Sequence, residues 1–554
     1  MRLWTAFASM IAVAACSGAG QPGTAAAGPA VESGRLETLV HDFAADSMMG
    51  REAGTAGHDR ATRYLADRAR AFGLEPAGVD GTYFQEVPLV LRDMFSSLNT
   101  TSGAIEVGYD FAPLVLEDLD SPSSLDFTGI PVVYGGDMAG PNEISAEEAS
   151  GKIVVLGAAR GPEGRAFGLV GTTIQKLAGA EAILMASIDY ASSDIMDFLL
   201  EPQTVLDDQE SVEGAGGQGP FLAFVSESLV ERLFGSGVDG LAPGTEGPEM
   251  RGEVGPRERP VEVPTRNVIA RVPGSDPEVS DEHVVISAHS DHTGLSLPPV
   301  DHDSLRAYLA VVRPGGAEDP ERDPTAAEQE RISQILAETG TAARLDSINN
   351  GADDDASGSM ALLEIGRVLM ASPERPRRSV LLVWHTAEEG GLLGARYFTD
   401  NPTVPLESMV ADINIDMIGR GRAEDVEMGG PSYLQLIGSR RLSTELGDLV
   451  ETVNREEEHG FRFDYTFDAD GHPANFYCRS DHYMYARYGI PIVFMTTGGH
   501  RDYHMPTDEP QYIDYGKLGR VTAFVRSVAA RVADLDHRVV VDGPVPDPDE
   551  PCQQ

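Results

Sequence analysis

Four apolar runs in the second half of the chain, "EHVVISAHSD", "SVLLVWHTAEE", "ADINIDMIG" and "IPIVFMTT", are too continuous to leave one face in water. Helical patterns stand between them, including "MALLEIGRVLM" after "NNGADDDASG" and the stretch "GLLGARYF". Continuous apolar strands alternating with helices indicate a largely parallel sheet covered on both faces. The expected fold class is therefore α/β, a mixed, mainly parallel sheet with helices on both sides. Ligands in such sheets gather beyond the carboxyl ends of the strands. The conspicuous polar residues of this half fall there: His289 and Asp291 end the first run, Glu388 and Glu389 the second, Asp416 the third, and His504 follows the fourth. Asp354 is the middle member of the acidic triplet.

Asp and Ser cap helices and anions suit a helix N-terminus, so one aspartate before an apolar helix needs no further reason. Three in a row, read with two histidines and four more carboxylates, call for compensation. Zinc takes imidazole nitrogen and carboxylate oxygen, and keeps a position open when it is catalytic. Two metals about 3.5 to 4 Å apart can share one carboxylate and one hydroxide. Two divalent ions are then neutralised by three carboxylates and a hydroxide, with neutral imidazoles completing the set. Without metal the same carboxylates would repel one another at considerable cost.

The chain has 554 residues, which suggests two or three domains. Lys+Arg 42 against Asp+Glu 88, a formal charge of -46, argues against nucleic acid or an anionic membrane surface as partner. The opening "MRLWTAFASMIAVAACSGAG" reads as a secretory signal too short to span a membrane. Its "VAAC" resembles the bacterial lipobox, which implies cleavage before Cys16 and lipidation of that sulfur; Ser17 at the next position favours the outer membrane. Residues 17–34 read as a flexible tether. If Cys16 carries lipid, only Cys478 and Cys552 are left to pair, and Cys552 lies in a proline-rich tail, 539–554, expected to be flexible.

Residues 35–109 open the main domain with two helices around "GREAGTAG"; Tyr64, Leu65 and Phe72 suit one buried face of the second, and His41 and His58 suit solvent or caps. Short strands punctuated by Gly, Pro and Asp over 110–262 read as an inserted small domain. The main domain resumes over 263–538. It carries its own insertion at about 293–347, strongly charged and helix-like near Glu328 to Glu338.

In this order, "AHSDH", "NNGADDDASG", "WHTAEEGGLLGARYF", "INIDMIGR" and "DYHMPTDE" resemble the co-catalytic zinc aminopeptidases of family M28, as do "MMGREAGTAGHDRA", "GLEPAG" and "TYFQEVPL". The resemblance covers about residues 35 to 535, and the inserted region resembles the protease-associated (PA) domain that serves as a lid in several members. It implies two zinc ions, one on His289, Asp354 and Asp416, the other on Asp354, Glu389 and His504. Asp354 is then the bridge, with a cis peptide bond after it, and Glu388 is the general base. Asp291 suits the other ring N–H of His289, and Asp508 a similar role near His504. The oxyanion donor is Tyr503 or Tyr477, with Tyr503 favoured.

Other residues take plainer readings. His292 and His482 suit structural hydrogen bonds, Cys478 suits a small buried apolar position, and the glycines of "GGLLGA" and "GGDMAG" lack the lysine of a phosphate loop. The expectation is an exported enzyme of the bacterial cell envelope, lipid-anchored to the outer membrane and facing the periplasm or exterior. It would remove residues from peptides with a free N-terminus. Three alternatives stand beside it: a single-zinc glutaminyl cyclase, which should not need both His289 and Asp416; a di-zinc carboxypeptidase, which should show another motif order and a basic residue for the substrate carboxylate; and a receptor-like protein that has lost metal. The 293–347 insertion is longer than is common in the family, and either walls the pocket or faces solvent.

Overall fold

The computed structural model describes residues 30–114, 121–161, 164–168, 170–207, 219–317, 319–320, 322–339, 344–426 and 428–554. Cys16 and residues 17–29 of the tether lie outside these. The four apolar runs form the strands His283–His289, Ser379–His385, Met409–Ile415 and Ile492–Thr496. In space Ser379–His385 comes first and the other three follow in chain order, each parallel to its neighbour. Antiparallel strands flank this centre, Thr265–Val272 on one side and Tyr433–Ile437 on the other. The sheet is therefore parallel in the middle and antiparallel at its margins.

Every residue of the four central strands is buried. Successive side chains point to opposite faces. Val284, Ile286, Ala288, Val380, Leu382 and Trp384 meet the helices Ser33–Phe43, Ala56–Ala71, Ala356–Ala371, Thr444–Glu456 and Tyr515–Ala533. Val285, Leu381 and Val383 meet Phe398 and Tyr485, from the helices Leu393–Asp400 and His482–Ala486. Among the described residues no helix is long and apolar enough to cross a membrane.

The inserted unit has a five-stranded, mostly parallel sheet from Phe111–Leu114, Val132–Asp137, Ile153–Gly157, Ala182–Ala186 and Phe221–Val225, with apolar clusters on both faces. A second, antiparallel sheet pairs Leu89–Ser96 with Gln203–Leu206 and with Glu253–Pro260. The boundary expected at residue 110 thus moves to about residue 88, because Leu89–Ser96 belongs to the inserted unit. Only Pro88 separates "LVLRDMFS" from the main-domain strand Phe84–Val87 before it. The unit is keyed to the main domain by an apolar cluster in which its Leu89 and Leu206 pack with Val87, Ala387 and Leu393.

The 293–347 insertion is a two-stranded ribbon, Leu295–Asp301 with Leu345–Ile348, carrying the helices His302–Val312 and Ala326–Thr339. Ala307, Val312 and Ile332 form the small core between those helices.

Two sequence-based expectations give way at the C-terminal end. Cys478 is joined to Cys552 by a disulfide across 74 residues, so it is a cross-link and not merely a small apolar side chain. Residues 539–554 are accordingly held: Gln554 accepts a hydrogen bond from the Tyr477 N–H at 2.9 Å through its side chain, and one from the Gly471 N–H at 3.0 Å through its carbonyl. Proline and aspartate in the tail signal no regular structure, but a covalent bond supplies the order that local propensity does not. Cys552→Ala is expected to lower the unfolding free energy by about 2–4 kcal/mol in a denaturant titration. Reductant should reproduce the loss in the parent chain and add nothing in the variant.

Candidate metal centre

The acidic triplet resolves into three separate tasks. Asp355 caps the helix Ala356–Ala371 through the Gly358 N–H at 2.9 Å, and also accepts from the N–H groups of His289 and Met417, both at 3.2 Å. Asp353 turns the other way, taking the Gly419 N–H at 2.6 Å and lying 3.3 Å from His500 Nε2. Asp354 faces the cleft between two imidazoles, its Oδ1 at 3.0 Å from His289 Nε2 and its Oδ2 at 3.2 Å from His504 Nε2. The Asp354–Asp355 peptide bond is cis.

The other strand ends converge on the same point. Asp416 Oδ1 is 3.6 Å from His289 Nε2, and Glu389 Oε2 is 2.8 Å from His504 Nε2. At Ala387 the backbone takes a φ of 51°, so the chain leaves the extended conformation before the two glutamates. Glu388 consequently lines the cleft with Asp354 and Asp416, whereas Glu389 reaches His292 Nδ1 at 2.6 Å as well as His504. Two three-residue groups result, His289–Asp354–Asp416 and Asp354–Glu389–His504, with Asp354 common to both.

This donor set suits zinc. Asp354 Oδ2, Asp416 Oδ1 and His504 Nε2 are buried and make no hydrogen bond. Buried polar atoms are almost always partnered, and imidazole nitrogen with carboxylate oxygen is what zinc binds. Asp355 and His292 also lie within 4.8 Å of the donor atoms. The Asp355 oxygens are already committed to three backbone N–H groups, however, and His292 is hydrogen-bonded to Glu389, in keeping with the structural role read for it.

Residues 267–529 match the family model described as Peptidase family M28. This segment belongs to peptidase family M28. A probable zinc metalloprotease of Leptosphaeria maculans is 32% identical over 190 residues, 31% of this chain and 40% of that protein. Leucine aminopeptidase 1 of Pyrenophora tritici-repentis is 24% identical over 262 residues, 46% of this chain and 51% of that protein. The chain thus spans about half or less of the length of these curated relatives. A solved zinc aminopeptidase of Bacillus subtilis superposes with a TM-score of 0.46 at 14% identity, over 90% of this chain and 94% of that one.

Several support residues of the M28 domain act differently from their sequence-based expectations. Asp291 lies 3.8 Å from His289 Nδ1, beyond hydrogen-bonding distance, and accepts from the N–H groups of Glu388 and Glu389 at 3.2 and 3.4 Å. It fixes the glutamate turn, because two backbone donors compete for its oxygens. Asp508 does not meet His504; its Oδ2 accepts from the N–H groups of Asp353 and Asp354 at 2.9 and 3.2 Å. Tyr477 is packed in the core beneath Arg441, away from the cleft lining, whereas Tyr503 lines the cleft and stacks on His504 at 3.8 Å. His58 is buried rather than solvated or capping, with its Nε2 at 3.2 Å from Ser290 Oγ.

Arg51 is the support residue that sequence reasoning missed. It is wholly buried, and its guanidinium donates to the carbonyls of Asn350, Gly351, Ser290 and Asp354 at 2.6, 2.9, 3.2 and 3.3 Å. One cation thereby ties the Asp354 loop to the end of the His289 strand. The 293–347 insertion forms part of the wall: Ala317 lines the cleft and donates its N–H to Gly499 at 3.2 Å, and Arg306 reaches Asp502 at 3.1 Å. Asp502 also accepts from Arg420 at 2.9 Å and Thr507 at 2.9 Å, which fixes the loop bearing His504.

Burial and close approach shift the proton affinities of these groups in opposite directions. Burial pushes Glu388 well above the usual carboxylate range; His289 opposes this, and Asp416 and Glu389 reinforce it. Burial and Asp354 would likewise raise Glu389, but His504 and His292 outweigh them and bring it to about 2. Burial would depress His504, yet Glu389 and Asp354 push it up to about 10.

Behind the site runs a buried polar chain. Ser287 Oγ is 2.8 Å from Asp412 and 3.0 Å from Asn414, Asn414 donates to Ser480 at 2.8 Å, and Ser480 donates to Asp416 at 2.8 Å. Burial pushes Asp412 up to about 8, against the opposing hydrogen bond from Ser287. Its unfolded carboxyl titrates near 4, so between about pH 4 and pH 8 only the unfolded chain has released this proton and the native state loses stability as pH rises. Asp412→Asn is expected to raise Tm relative to the parent chain by an amount that grows across this window and levels off above it. Thermal unfolding at pH 5, 7 and 9 measures the trend.

Proposed function

We propose that this chain is an exported di-zinc aminopeptidase. The observation that carries the reading is the pair of three-residue groups sharing Asp354, with the buried Glu388 facing the same cleft. His289, Asp354 and Asp416 would hold one ion, and Asp354, Glu389 and His504 the other. Bound zinc would act as Lewis acid on the scissile carbonyl and lower the pKa of the attacking water. Glu388, which lines the same cleft, takes the proton of that water and delivers it to the leaving amine. The substrate's free amine would bind near these carboxylates at the metal centre, which the acidic site favours. Tyr503 is kept protonated by burial, with Asp354 and Glu389 adding to the effect, and serves as a hydrogen-bond donor to the developing oxyanion.

Asp291, Asp508 and Arg51 hold the backbone that carries these groups, and His292 orients Glu389. The inserted unit acts as a PA-like lid, a role supported by its contact with Ala387 beside the general base. The wall contributed by the 293–347 insertion favours short or unfolded chain ends. The signal-like opening and "VAAC" support lipid anchoring at Cys16 and placement in the bacterial envelope. The fungal relatives, a probable zinc metalloprotease and a leucine aminopeptidase, agree with this reading. A single-zinc cyclase would leave one of the two donor groups without a purpose.

The test is to purify the chain without its first 16 residues, count zinc by elemental analysis and assay aminoacyl chromogenic substrates. Two zinc ions are expected per chain. Glu388→Gln should lower kcat by about 10²-fold or more while both ions stay bound. One ion or none, with no release from any amino-terminal substrate, overturns the reading.

A further inference from the structure

The cleft that holds Asp354, Glu388 and Asp416 lies over the ends of adjacent strands, and its character changes from one strand to the next. His283–His289 and Met409–Ile415 deliver His289 and Asp416, and the turn after Ser379–His385 delivers Glu388. The next strand, Ile492–Thr496, contributes Phe494, Thr496 and, just beyond its end, Gly499. Met417 and Phe476 join them, so this half of the lining is mostly hydrocarbon. Its polar side chains are already engaged. The Thr496 hydroxyl donates to the Met417 carbonyl at 3.2 Å, and Arg479 donates to the Ala474 carbonyl at 3.2 Å. Ser480 and Tyr503 go with the catalytic half, the one bonded to Asp416 and the other stacked on His504.

Backbone closes this apolar half. Ala317, from the 293–347 insertion, donates its N–H to the Gly499 carbonyl at 3.2 Å, and a β-carbon added at Gly499 would stand 3.0 Å from that of Ala317. Gly316, the residue before it, has a φ of 107°, and any side chain there would collide with the same carbonyl oxygen. The loop therefore approaches Gly499 more closely than a chain with side chains could. Arg313 holds it from behind, donating to the carbonyls of Ala317 and Asp319 at 2.5 and 3.0 Å, and Arg306 ties the insertion to Asp502 at 3.1 Å. The cavity so bounded has a volume of about 70 Å³. That is roughly half of the ~150 Å³ in which an apolar protein cavity takes up benzene.

We propose that Ala317, set against Gly499, determines specificity by fixing the depth of the pocket for the side chain of the substrate's first residue, so that aliphatic groups are admitted and aromatic rings are excluded. This rests on the aminopeptidase reading and narrows its substrate class. With the amine near the catalytic carboxylates, the first side chain has the apolar half of the cleft to enter, and Ala317 stands at its limit. A ring meets backbone packed on backbone there, and close-packed backbone gives way far less than a flexible side chain. The size limit is thus set by the insertion and not by the strands that carry the catalytic groups.

The experiment measures kcat/KM of the zinc-loaded protein on alanyl, leucyl and phenylalanyl p-nitroanilides. In the parent chain the leucyl substrate should exceed the phenylalanyl one by about tenfold or more. Ala317→Gly removes one methyl group at the limit and should raise the phenylalanyl-to-leucyl ratio by about threefold or more. Ala317→Val adds two and should lower the leucyl-to-alanyl ratio by about tenfold. Opposite shifts from two variants of one residue mark a size limit, because a general disturbance of the loop moves all three substrates together. Equal turnover of the leucyl and phenylalanyl substrates by the parent chain, or ratios that neither variant moves, overturns the proposal and leaves the aminopeptidase reading standing. Absence of turnover on all three overturns both.

Discussion

Negative charge buried at close range is the constraint around which this molecule is organised. Asp354, Glu388 and Asp416 line one cleft and Glu389 adjoins it through His504, with Asp353, Asp355 and Asp508 directly behind them. Carboxylates so placed are tolerable only if something positive or hydrogen-bond-donating faces each of them. The protein divides the task. Backbone N–H groups neutralise the rear members, imidazoles face the front ones, and Arg51 puts a whole positive charge beneath the loop while donating only to carbonyls. What remains uncompensated is the set of inward-facing oxygens and nitrogens that zinc would take.

The front of the site was legible because strand-end residues in an α/β sheet are placed by topology. Once "VVISAH", "VLLVWH" and "DINID" read as parallel strands, His289, Glu388, Glu389 and Asp416 had to share an edge. Resemblance to known motifs singled out Asp354 within its triplet. The rear of the site was not legible, because it depends on which backbone amide lies nearest a given side chain. Asp291 and Asp508 were expected to meet imidazoles, yet both are claimed by N–H groups of tight turns whose geometry no residue pattern reveals. Arg51 looked like part of a glycine-rich turn, and its role emerges only when residues about 300 positions away fold back over it.

Long-range pairing accounts for the remaining differences. Leu89–Ser96 reads locally as a continuation of the main domain, and its partner Glu253–Pro260 lies more than 150 residues away. The disulfide joins partly buried Cys478 to a segment with no local preference for order; the cysteine count left these two to pair, but no local pattern shows that the tail is held. The 293–347 insertion was recognised as a departure, and its helix lies close to where the charged pattern put it. That it walls the cleft depends on Ala317 meeting Gly499 and on Arg306 meeting Asp502, contacts made by single residues and not by a periodic face.

The small apolar cluster joining Leu89 and Leu206 to Val87, Ala387 and Leu393 bears on how such a protein can change over evolutionary time. Residues in contact do not contribute independently to stability, and a change in volume on one side is offset only by a matching change on the other. The inserted unit therefore cannot be exchanged for another of similar shape without bringing a surface that fits the turn carrying Glu388. Substitutions at residues 89 and 206 should drift together with those at 87, 387 and 393, so that the inserted unit and the turn behave as one heritable piece although their sequences lie far apart.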